Sequence, residues 1–159
     1  MLTNEQFTQA VQTHADMVYR IALNYLKEPA AAEDAGQEVF LRLLRCRKAF
    51  DSPEHLKNWL IRVAINESKR ALSAPWRSVE PLDGQENRLP FSSPETRDTF
   101  YAVMELPRKY RLVLYLYYYE GYKTAEIGQL LHIPASTVRT RLERGRKLLK
   151  QGLLEAEHV

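Results

Sequence analysis

Residues 124–150 read TAEIGQLLHIPASTVRTRLERGRKLLK and contain an apolar segment, a proline and a strongly basic segment. In the first segment Ile127, Leu130 and Leu131 recur at helical spacing. Pro134 ends that helix, because proline lacks the N–H that an interior helical residue donates and its ring clashes with the preceding turn. The sequence therefore predicts two short helices that meet at a tight turn, which is a helix-turn-helix.

The second of these helices carries the positive charge. Residues 135–150 contain six Lys or Arg and one Glu, a net charge of +5. Val138 and Leu142 lie four residues apart, so they are predicted to pack on the first helix. The residues predicted to point outward are Ser136, Arg139, Thr140, Glu143, Arg144 and Lys147. A cationic helix presented by such a turn is typical of binding in the DNA major groove. The alternative is a helical hairpin whose basic face is only solvated.

Helical periodicity lies on both sides of a segment that lacks it. Residues 73–95 contain four prolines and one glycine and follow neither the helical nor the strand period, so they are predicted to form a linker. The β-prone stretch at 111–119 is predicted to be a buried helix, because its length and its place between Pro107 and Gly121 favour one. Helices are predicted near residues 3–27 (with a break allowed near His14), 30–48, 54–72, 95–105, 108–120, 124–131 and 135–151.

These elements predict an all-α fold with two small helical domains. The domains are residues 1–74 and 95–159, and a flexible linker at residues 75–94 joins them. Positive charge is concentrated in the second domain, where residues 96–159 have a net charge of +4 against +3 for the whole chain. This distribution predicts that the second domain binds a polyanion.

Composition argues against several other classes of protein. Of the 159 residues, 45% are hydrophobic and 27% are charged, as in an ordinary globular protein. The single cysteine, Cys46, permits no internal disulfide; inert packing is the favoured account of it, and a redox role is the alternative that stays open. The four histidines are too scattered for metal ligation. No metal or cofactor and no catalytic residues are expected, because no phosphate-binding loop or catalytic set occurs. No leader pattern and no apolar run of about 20 residues is present, which predicts a cytoplasmic protein without a membrane span.

Three stretches resemble one family. Residues 106–149, LPRKYRLVLYLYYYEGYKTAEIGQLLHIPASTVRTRLERGRKLL, resemble region 4 of the extracytoplasmic-function (group 4) sigma factors. Residues 32–45, AEDAGQEVFLRLLR, resemble the family's region 2.2, and residues 49–72, AFDSPEHLKNWLIRVAINESKRAL, resemble its regions 2.3 and 2.4. The order matches and the likeness covers nearly the whole chain. It implies a dissociable subunit that binds RNA polymerase core, directs it to promoters and helps to melt the minus-10 region.

The resemblance assigns a polymerase surface to the second helix. On that helix Val39, Phe40, Leu43 and Leu44 are predicted to form the apolar side. A second stripe at helical spacing consists of Asp34, Gln37, Glu38 and Leu41. From the residues alone this stripe is typical of a solvated face, and its acidic members also favour a helix N-terminus. In the family this helix packs on the coiled coil of the polymerase clamp, which assigns the stripe to core binding.

The resemblance also assigns residues to the melted minus-10 strand. Basic, amide and aromatic groups together suit single-stranded DNA, because phosphates need charge and unpaired bases need a stacking plane or an amide edge. In the family the loop at Phe50 forms a pocket for a flipped base, and Asn66 occupies the matching position on the facing helix. Trp59 is predicted to be core, and ordinary packing of Phe50 is the competing account. The minus-10 set is Phe50, Asn58, Arg62, Asn66, Lys69 and Arg70.

The recognition helix supplies the predicted minus-35 contacts. Its start combines hydroxyl groups with free backbone amides, which suit phosphate. The set is Ser136, Thr137, Arg139, Thr140, Arg141, Glu143, Arg144 and Lys147. Two glycines depart from the family pattern: Gly36 replaces an aliphatic residue and Gly128 an alanine, and each should cost its helix up to about 1 kcal/mol. Glu143 is an unusual neighbour for phosphate unless it accepts from a cytosine amino group.

Partners follow from the resemblance, and two alternatives stay open. The expected partners are RNA polymerase core, promoter DNA (duplex at minus-35 and single-stranded at minus-10) and an anti-sigma factor. One alternative is a helix-turn-helix transcriptional regulator that binds duplex DNA without being a polymerase subunit. The other is a protein-interaction adaptor whose basic helix never meets DNA, and it predicts little salt dependence in DNA titrations.

Overall fold

The computed structural model describes residues 1–74 and 94–157. Every regular element in these two ranges is helical, which confirms the all-α fold class. The chain divides into two compact units, Met1–Leu89 and Pro90–Val159, and each is described by itself. The predicted linker at 75–94 lies almost wholly outside the described residues. Of the helices described, none has an apolar stretch long enough to cross a membrane.

The first unit begins with a capped helix, α1 (Asn4–Leu26). The Thr3 hydroxyl accepts a hydrogen bond from the Gln6 N–H at 3.1 Å, and the Gln6 side chain accepts one from the Thr3 N–H at 2.9 Å. This capping box satisfies backbone donors that the first helical turn leaves free. The helix runs through His14 without a break and ends at Leu26, and the next residue, Lys27, adopts a left-handed conformation with φ of 54°.

Two further helices, α2 (Pro29–Arg45) and α3 (Pro53–Leu72), complete the first unit. The Ser52 hydroxyl caps α3 by accepting from the His55 N–H at 3.1 Å. All three helices contribute to one core, whose largest fully buried side chains are Val18, Ile21, Leu23, Leu26, Val39, Leu43, Leu60 and Ile61. Val39 and Leu43, which were predicted to lie on the apolar side of α2, are buried, and Phe40 of the same predicted side is half-buried.

Two details of α2 differ from the sequence prediction. The helix ends at Arg45 instead of residue 48, and Cys46 already has an extended backbone. Leu44 was predicted to lie on the apolar side, but 46% of it is exposed, so that prediction is wrong. The helix buries a narrow stripe that includes Val39 and Leu43, and Leu44 lies one residue, about 100°, beyond Leu43.

The second unit contains α4 (Pro94–Met104), α5 (Arg108–Leu114), α6 (Thr124–Leu131) and α7 (Ala135–Glu157). Helix α5 continues directly into a π-helical turn, Tyr115–Tyr119, which will be called π1. The most buried side chains of the unit include Met104, Val113, Leu116, Ile127, Val138 and Leu142. The prediction of a helix through 111–119 is confirmed, although the π-helical form of its end was not foreseen.

Arg111 is a buried cation within this second core. Only 4% of it is exposed, and its Nη1 donates to the Leu106 carbonyl oxygen at 2.7 Å, which ties α5 to the turn before it. The pKa of the Arg111 guanidinium is lowered to about 10, mainly by burial and in addition by repulsion from Arg108, while attraction to Glu105 acts in the opposite direction. The guanidinium therefore remains charged at neutral pH, where it supports the fold.

The turn of the helix-turn-helix depends on Gly128. The His132 N–H is bonded to the Gly128 carbonyl oxygen, which also accepts from the Ile133 N–H at 3.0 Å, and His132 adopts a left-handed conformation with φ of 58°. A Cβ atom on residue 128 would lie 2.7 Å from the Ile133 carbonyl oxygen. The glycine was predicted only to weaken its helix, but it is what lets the turn fold back so closely.

Candidate nucleic-acid interface

Helix α7 presents its charge as the sequence predicted. Val138 and Leu142 are buried in the second unit, where they fix the rotation of the helix. Six of the predicted contact residues are exposed: Ser136, Arg139, Thr140, Glu143, Arg144 and Lys147. Thr137 and Arg141, which belong to the same predicted set, are half-buried. The basic residues thus lie on an exposed face that begins at the turn.

A cleft of about 320 Å³ lies at the start of this face. It is lined by Lys109, Tyr110, Ser136, Thr137, Thr140, Arg141 and Arg144. The cleft therefore combines three cationic side chains, one from α5 and two from α7, with three hydroxyl groups from α7. This combination suits the oxygens of a DNA backbone. Lys109 was not predicted from the sequence because it lies in α5, a different helix from the recognition helix α7. The one sequence feature that could have indicated Lys109 is that it directly follows another cationic residue, Arg108.

Glu143 is placed beside a cation. Its Oε1 lies 3.6 Å from the Nζ of Lys147, one helical turn away, and both side chains are largely exposed. An exposed pair of this kind contributes only a few tenths of a kcal/mol to stability, so it leaves both side chains able to turn toward DNA. It also offsets the repulsion that an isolated carboxylate would exert on phosphate.

Helix α3 carries five of the six predicted minus-10 residues, all except Phe50. Arg62, Asn66, Lys69 and Arg70 are exposed, and Asn58 is half-buried. Asn58, Arg62, Asn66 and Arg70 follow one another at intervals of four residues, which aligns them on one face. Arg70 also lies 3.8 Å from the carboxylate of Glu67, so its positive charge is partly neutralised within the protein.

The loop before α3 forms a second cleft, of about 330 Å³, which will be called the loop cleft. It is lined by Lys48, Ser52, Glu54, His55, Asn58, Trp59 and Arg62. Asn58 and Arg62 belong to the predicted minus-10 set, whereas Asn66 does not line the cleft and lies about 12 Å beyond Asn58 along the helix axis. Trp59 was predicted to be core, but it is half-buried and forms part of the cleft wall.

Phe50 packs behind that wall. Its ring meets His55 edge-on at 5.2 Å between ring centroids and Trp59 edge-on at 5.7 Å. Such contacts are favourable aromatic geometry, so Phe50 braces the two rings. The sequence identified the loop and Phe50, but it did not identify His55 or Glu54, because neither residue type marks a binding site by itself.

The predicted polymerase stripe on α2 faces outward. Asp34 and Gln37 are exposed, Glu38 is half-buried, and 41% of Leu41 is exposed. A groove of about 530 Å³ runs beside Asp34 and Glu38, and its lining consists of five alanines and five charged residues.

The groove has an ionic floor that the sequence did not reveal. Glu67 is buried, and its Oε1 lies 2.7 Å from the Nε of Arg42, which is also 3.6 Å from Glu38. Arg42 therefore links α2 to α3 beneath the predicted stripe. Glu38 and Arg42 lie four residues apart on α2, but no spacing in the sequence indicates that Glu67 of α3 meets Arg42.

An aromatic patch on the second unit was also missed. Tyr118 is 60% exposed, and the guanidinium of Arg146 lies 5.4 Å from its ring centroid and 5.6 Å from that of Tyr117. The Nε of Arg146 donates to the Tyr118 hydroxyl. The sequence predicts only that the consecutive tyrosines lie in a buried helix. That prediction assumes a regular α-helix, so it does not indicate which tyrosine π1 exposes.

Comparisons with known proteins show which sequences the chain resembles. The family model described as sigma-70 region 2 matches residues 10–78, and the one described as sigma-70 region 4 matches residues 101–149. The ECF RNA polymerase sigma factor SigW of Bacillus subtilis is 29% identical over 94% of this chain and 89% of its own length. The ECF RNA polymerase sigma factor SigL of Mycobacterium tuberculosis is 30% identical over 89% of this chain and 85% of its own.

A solved structure has a similar fold. The sigma factor RpoE from Bartonella quintana, crystallised in complex with the anti-sigma factor NepR, superposes with a TM-score of 0.71. The match covers 92% of this chain and 96% of that one at 18% sequence identity. A likeness at this level of identity shows the fold alone.

Proposed function

We propose that the two units of this chain, which belongs to the extracytoplasmic-function sigma factors of the sigma-70 class, have separate roles in transcription initiation. As a sigma factor it binds RNA polymerase core and directs the enzyme to promoters. The second unit places α7 in the major groove at minus-35, and the first unit binds core and holds the melted minus-10 strand. Residues 75–94 act as the linker between them.

The observation that carries this proposal is the exposed cationic face of α7 with the cleft at its start. Three properties of the face suit duplex DNA. Its charge neutralises phosphate, its hydroxyls and guanidinium groups offer hydrogen bonds, and Val138 and Leu142 hold the helix so that these groups point away from the core. We assign Ser136, Arg139, Thr140, Glu143, Arg144 and Lys147 to minus-35 contacts, with Thr137 and Arg141 at the edge of the same surface.

The chemistry of transcription belongs to the polymerase. We infer that the chain is not an enzyme and that it acts in the cytoplasm, where its polymerase partner works. We also infer that an anti-sigma factor controls it, as the anti-sigma factor NepR forms a complex with the structural relative from Bartonella quintana.

In vitro transcription with purified core polymerase tests the function directly. A library of promoter sequences is transcribed with and without the chain, and the products are sequenced. We expect transcripts that depend on the chain and share a minus-35 and a minus-10 motif. A chain that adds no specific transcript with any active core preparation would contradict the proposal.

The core-binding assignment predicts a separate loss. Replacing Asp34, Gln37 and Glu38 together with alanine should weaken core binding roughly tenfold, about 1.4 kcal/mol, because the triple variant removes polar groups from an outward surface. Affinity for core polymerase is measured by fluorescence titration, and circular dichroism checks the fold. Glu5→Ala, on the exposed side of α1, is the control. Unchanged affinity in a well-folded triple variant would remove the assignment.

The minus-10 assignment predicts an effect on one step of initiation. Asn66→Ala or Phe50→Ala should slow promoter opening more than formation of the closed complex, because an unpaired base becomes available only after melting. Permanganate footprinting follows opening, and a gel-shift assay follows the closed complex. Equal losses at both steps would mean that these residues only support packing.

One other function is worth separating by experiment. A helix-turn-helix regulator that acts without polymerase would use the same exposed face of α7. It predicts tight, sequence-specific binding of duplex DNA by the chain alone, whereas the sigma-factor proposal predicts that specific binding needs core polymerase. The outward stripe on α2 and the loop cleft favour the sigma factor, because a simple regulator has no use for either.

A further inference from the structure

We propose that Arg42 and Glu67 are positioning residues for core binding: Glu67 anchors Arg42 from α3, and Arg42 holds Glu38 in the orientation that the polymerase meets. This inference rests on the proposed function, in which the outward stripe on α2 binds core. It adds two residues that lie outside that stripe, one of them on a different helix.

Glu67 is the buried end of this arrangement. Only 8% of the residue is exposed, and its Oε1 lies 2.7 Å from the Nε of Arg42. That nitrogen is itself buried and makes no hydrogen bond within the described part of the chain, so the contact is an ion pair. Salt screens a pair of buried atoms much less than a surface pair. The guanidinium is therefore held against α3 under ordinary solution conditions.

Arg42 extends this order to the surface of the unit. The same Nε lies 3.6 Å from Oε1 of Glu38, and the two side chains are 40% and 38% exposed. An exposed pair alone contributes little, because two long side chains must be ordered to form it. Here Glu67 has already ordered one of the two. Glu38 therefore loses less rotamer freedom when a partner binds it than a glutamate that is free in water.

Glu38 is the point where the ion pairs reach the predicted core surface. In the stripe Asp34 and Gln37 are exposed, whereas Glu38 is half-buried at the groove that Glu67 also lines. Because Oε1 of Glu38 faces Arg42, the second carboxylate oxygen can accept from a donor on the polymerase. The alternative is that both pairs only stabilise the packing of α2 on α3. It predicts normal core affinity in any variant that folds.

The variant that removes the arrangement combines Arg42→Met with Glu67→Met. It deletes one charge of each sign, so the net charge of the chain is unchanged and a change in affinity reports position. Replacing both members of a buried pair by apolar groups of similar size is often neutral for stability. We expect core polymerase to bind this variant roughly three- to tenfold more weakly, the cost of ordering one long side chain on binding. Fluorescence titration measures the affinity, and circular dichroism checks the fold.

The matched control combines Arg97→Met with Asp98→Asn. These two residues form a surface ion pair on α4, with 3.6 Å between Nε and Oδ1. The control also deletes one charge of each sign, but it leaves the first unit untouched. It should bind core polymerase as the unaltered chain does.

A double-mutant cycle with Glu38→Ala separates positioning from packing. In the unaltered chain Glu38→Ala should weaken core binding roughly three- to tenfold. In the Arg42→Met, Glu67→Met background it should cost about twofold or less, because Glu38 is no longer held there. Arg42→Lys keeps the charge but replaces the planar guanidinium by a single ammonium, so it should give an intermediate loss. If the double variant does not fold, Arg42→Lys serves as the background of the same cycle.

The outcomes separate this inference from the proposed function. Unchanged core affinity in a folded variant, or an equal cost of Glu38→Ala in both backgrounds, would overturn the inference and leave the sigma-factor function standing. Glu38→Ala without effect in the unaltered chain would do the same and would also remove Glu38 from the core surface. An unaltered chain that does not bind core polymerase would overturn both the inference and the proposed function.

Discussion

Replacing Arg144 with alanine is expected to weaken promoter binding by about 1–3 kcal/mol, roughly 5- to 150-fold, and to change the preferred minus-35 sequence. Arg144 is exposed in the middle of α7 and lines the cleft at the start of the face with Thr140. A guanidinium at that place can form two hydrogen bonds with a base edge, which alanine cannot replace. The measurement is binding of holoenzyme to duplexes that vary in the minus-35 region.

Lys150→Ala is the matched comparison for Arg144→Ala. Lys150 is also exposed on α7, but it lies about 15 Å beyond Thr140 along the helix axis, so it should touch phosphate at most. We expect a smaller loss that is the same for every sequence, and a salt dependence reduced by about one charge. If both variants lose affinity uniformly, α7 binds DNA only as a nonspecific basic face.

Replacing Gly128 with alanine is expected to destabilise the second unit by up to about 2 kcal/mol. Helix propensity alone would favour alanine by up to about 1 kcal/mol. The added Cβ would lie 2.7 Å from the Ile133 carbonyl oxygen, however, and that oxygen belongs to the backbone of the turn. Overpacking of this kind costs about 1–3 kcal/mol and should outweigh the gain.

Gly36→Ala should have the opposite sign. A Cβ on residue 36 would lie 3.7 Å from the Val18 side chain, an ordinary van der Waals distance, so the first unit should gain up to about 1 kcal/mol. Amide hydrogen exchange on the full chain reports the stability of each unit separately. Stabilisation by both substitutions would show that the turn after α6 moves easily, and that Gly128 is not needed for its close approach.

The two glycines mark the limit of what the sequence could predict. Both interrupt helical sequences and both depart from the same family pattern, so the sequence assigns them one expected cost. Whether a methyl group fits depends on the atom opposite, which is a side chain at Gly36 and a backbone oxygen at Gly128. Three-dimensional packing decides the sign, and one sequence does not contain that information.

Helical faces with a strong period were predictable. The burial of Val138 and Leu142 fixes which residues of α7 face outward, and the stripe from Asp34 to Leu41 on α2 follows the same logic. Periodicity works here because each helix buries one side against its own unit.

Sites assembled from separate elements were not predictable. Lys109 reaches the α7 cleft from α5, and the loop cleft combines Lys48 of the loop between α2 and α3 with Glu54 and His55 of the first turn of α3. Trp59 was placed in the core because it adjoins Leu60, yet an aromatic side chain can cover a core with one part and line a cleft with another. The prediction for Leu44 was wrong for a similar reason, since hydrophobicity alone does not determine the width of the buried stripe on a helix.

The π-helical turn at Tyr115–Tyr119 has a consequence for comparing this chain with its relatives. The Glu120 N–H donates to the Tyr115 carbonyl oxygen at 3.1 Å, five residues back instead of four. One extra residue in a turn displaces everything after it by about 100° and 1.5 Å relative to a continuous α-helix. In a relative without the π turn, the residues before and after it should therefore align only when a gap of one position is opened inside an unbroken helix. Such a gap would be evidence of an ancestral insertion or deletion of one residue that the helix accommodated without forming a loop.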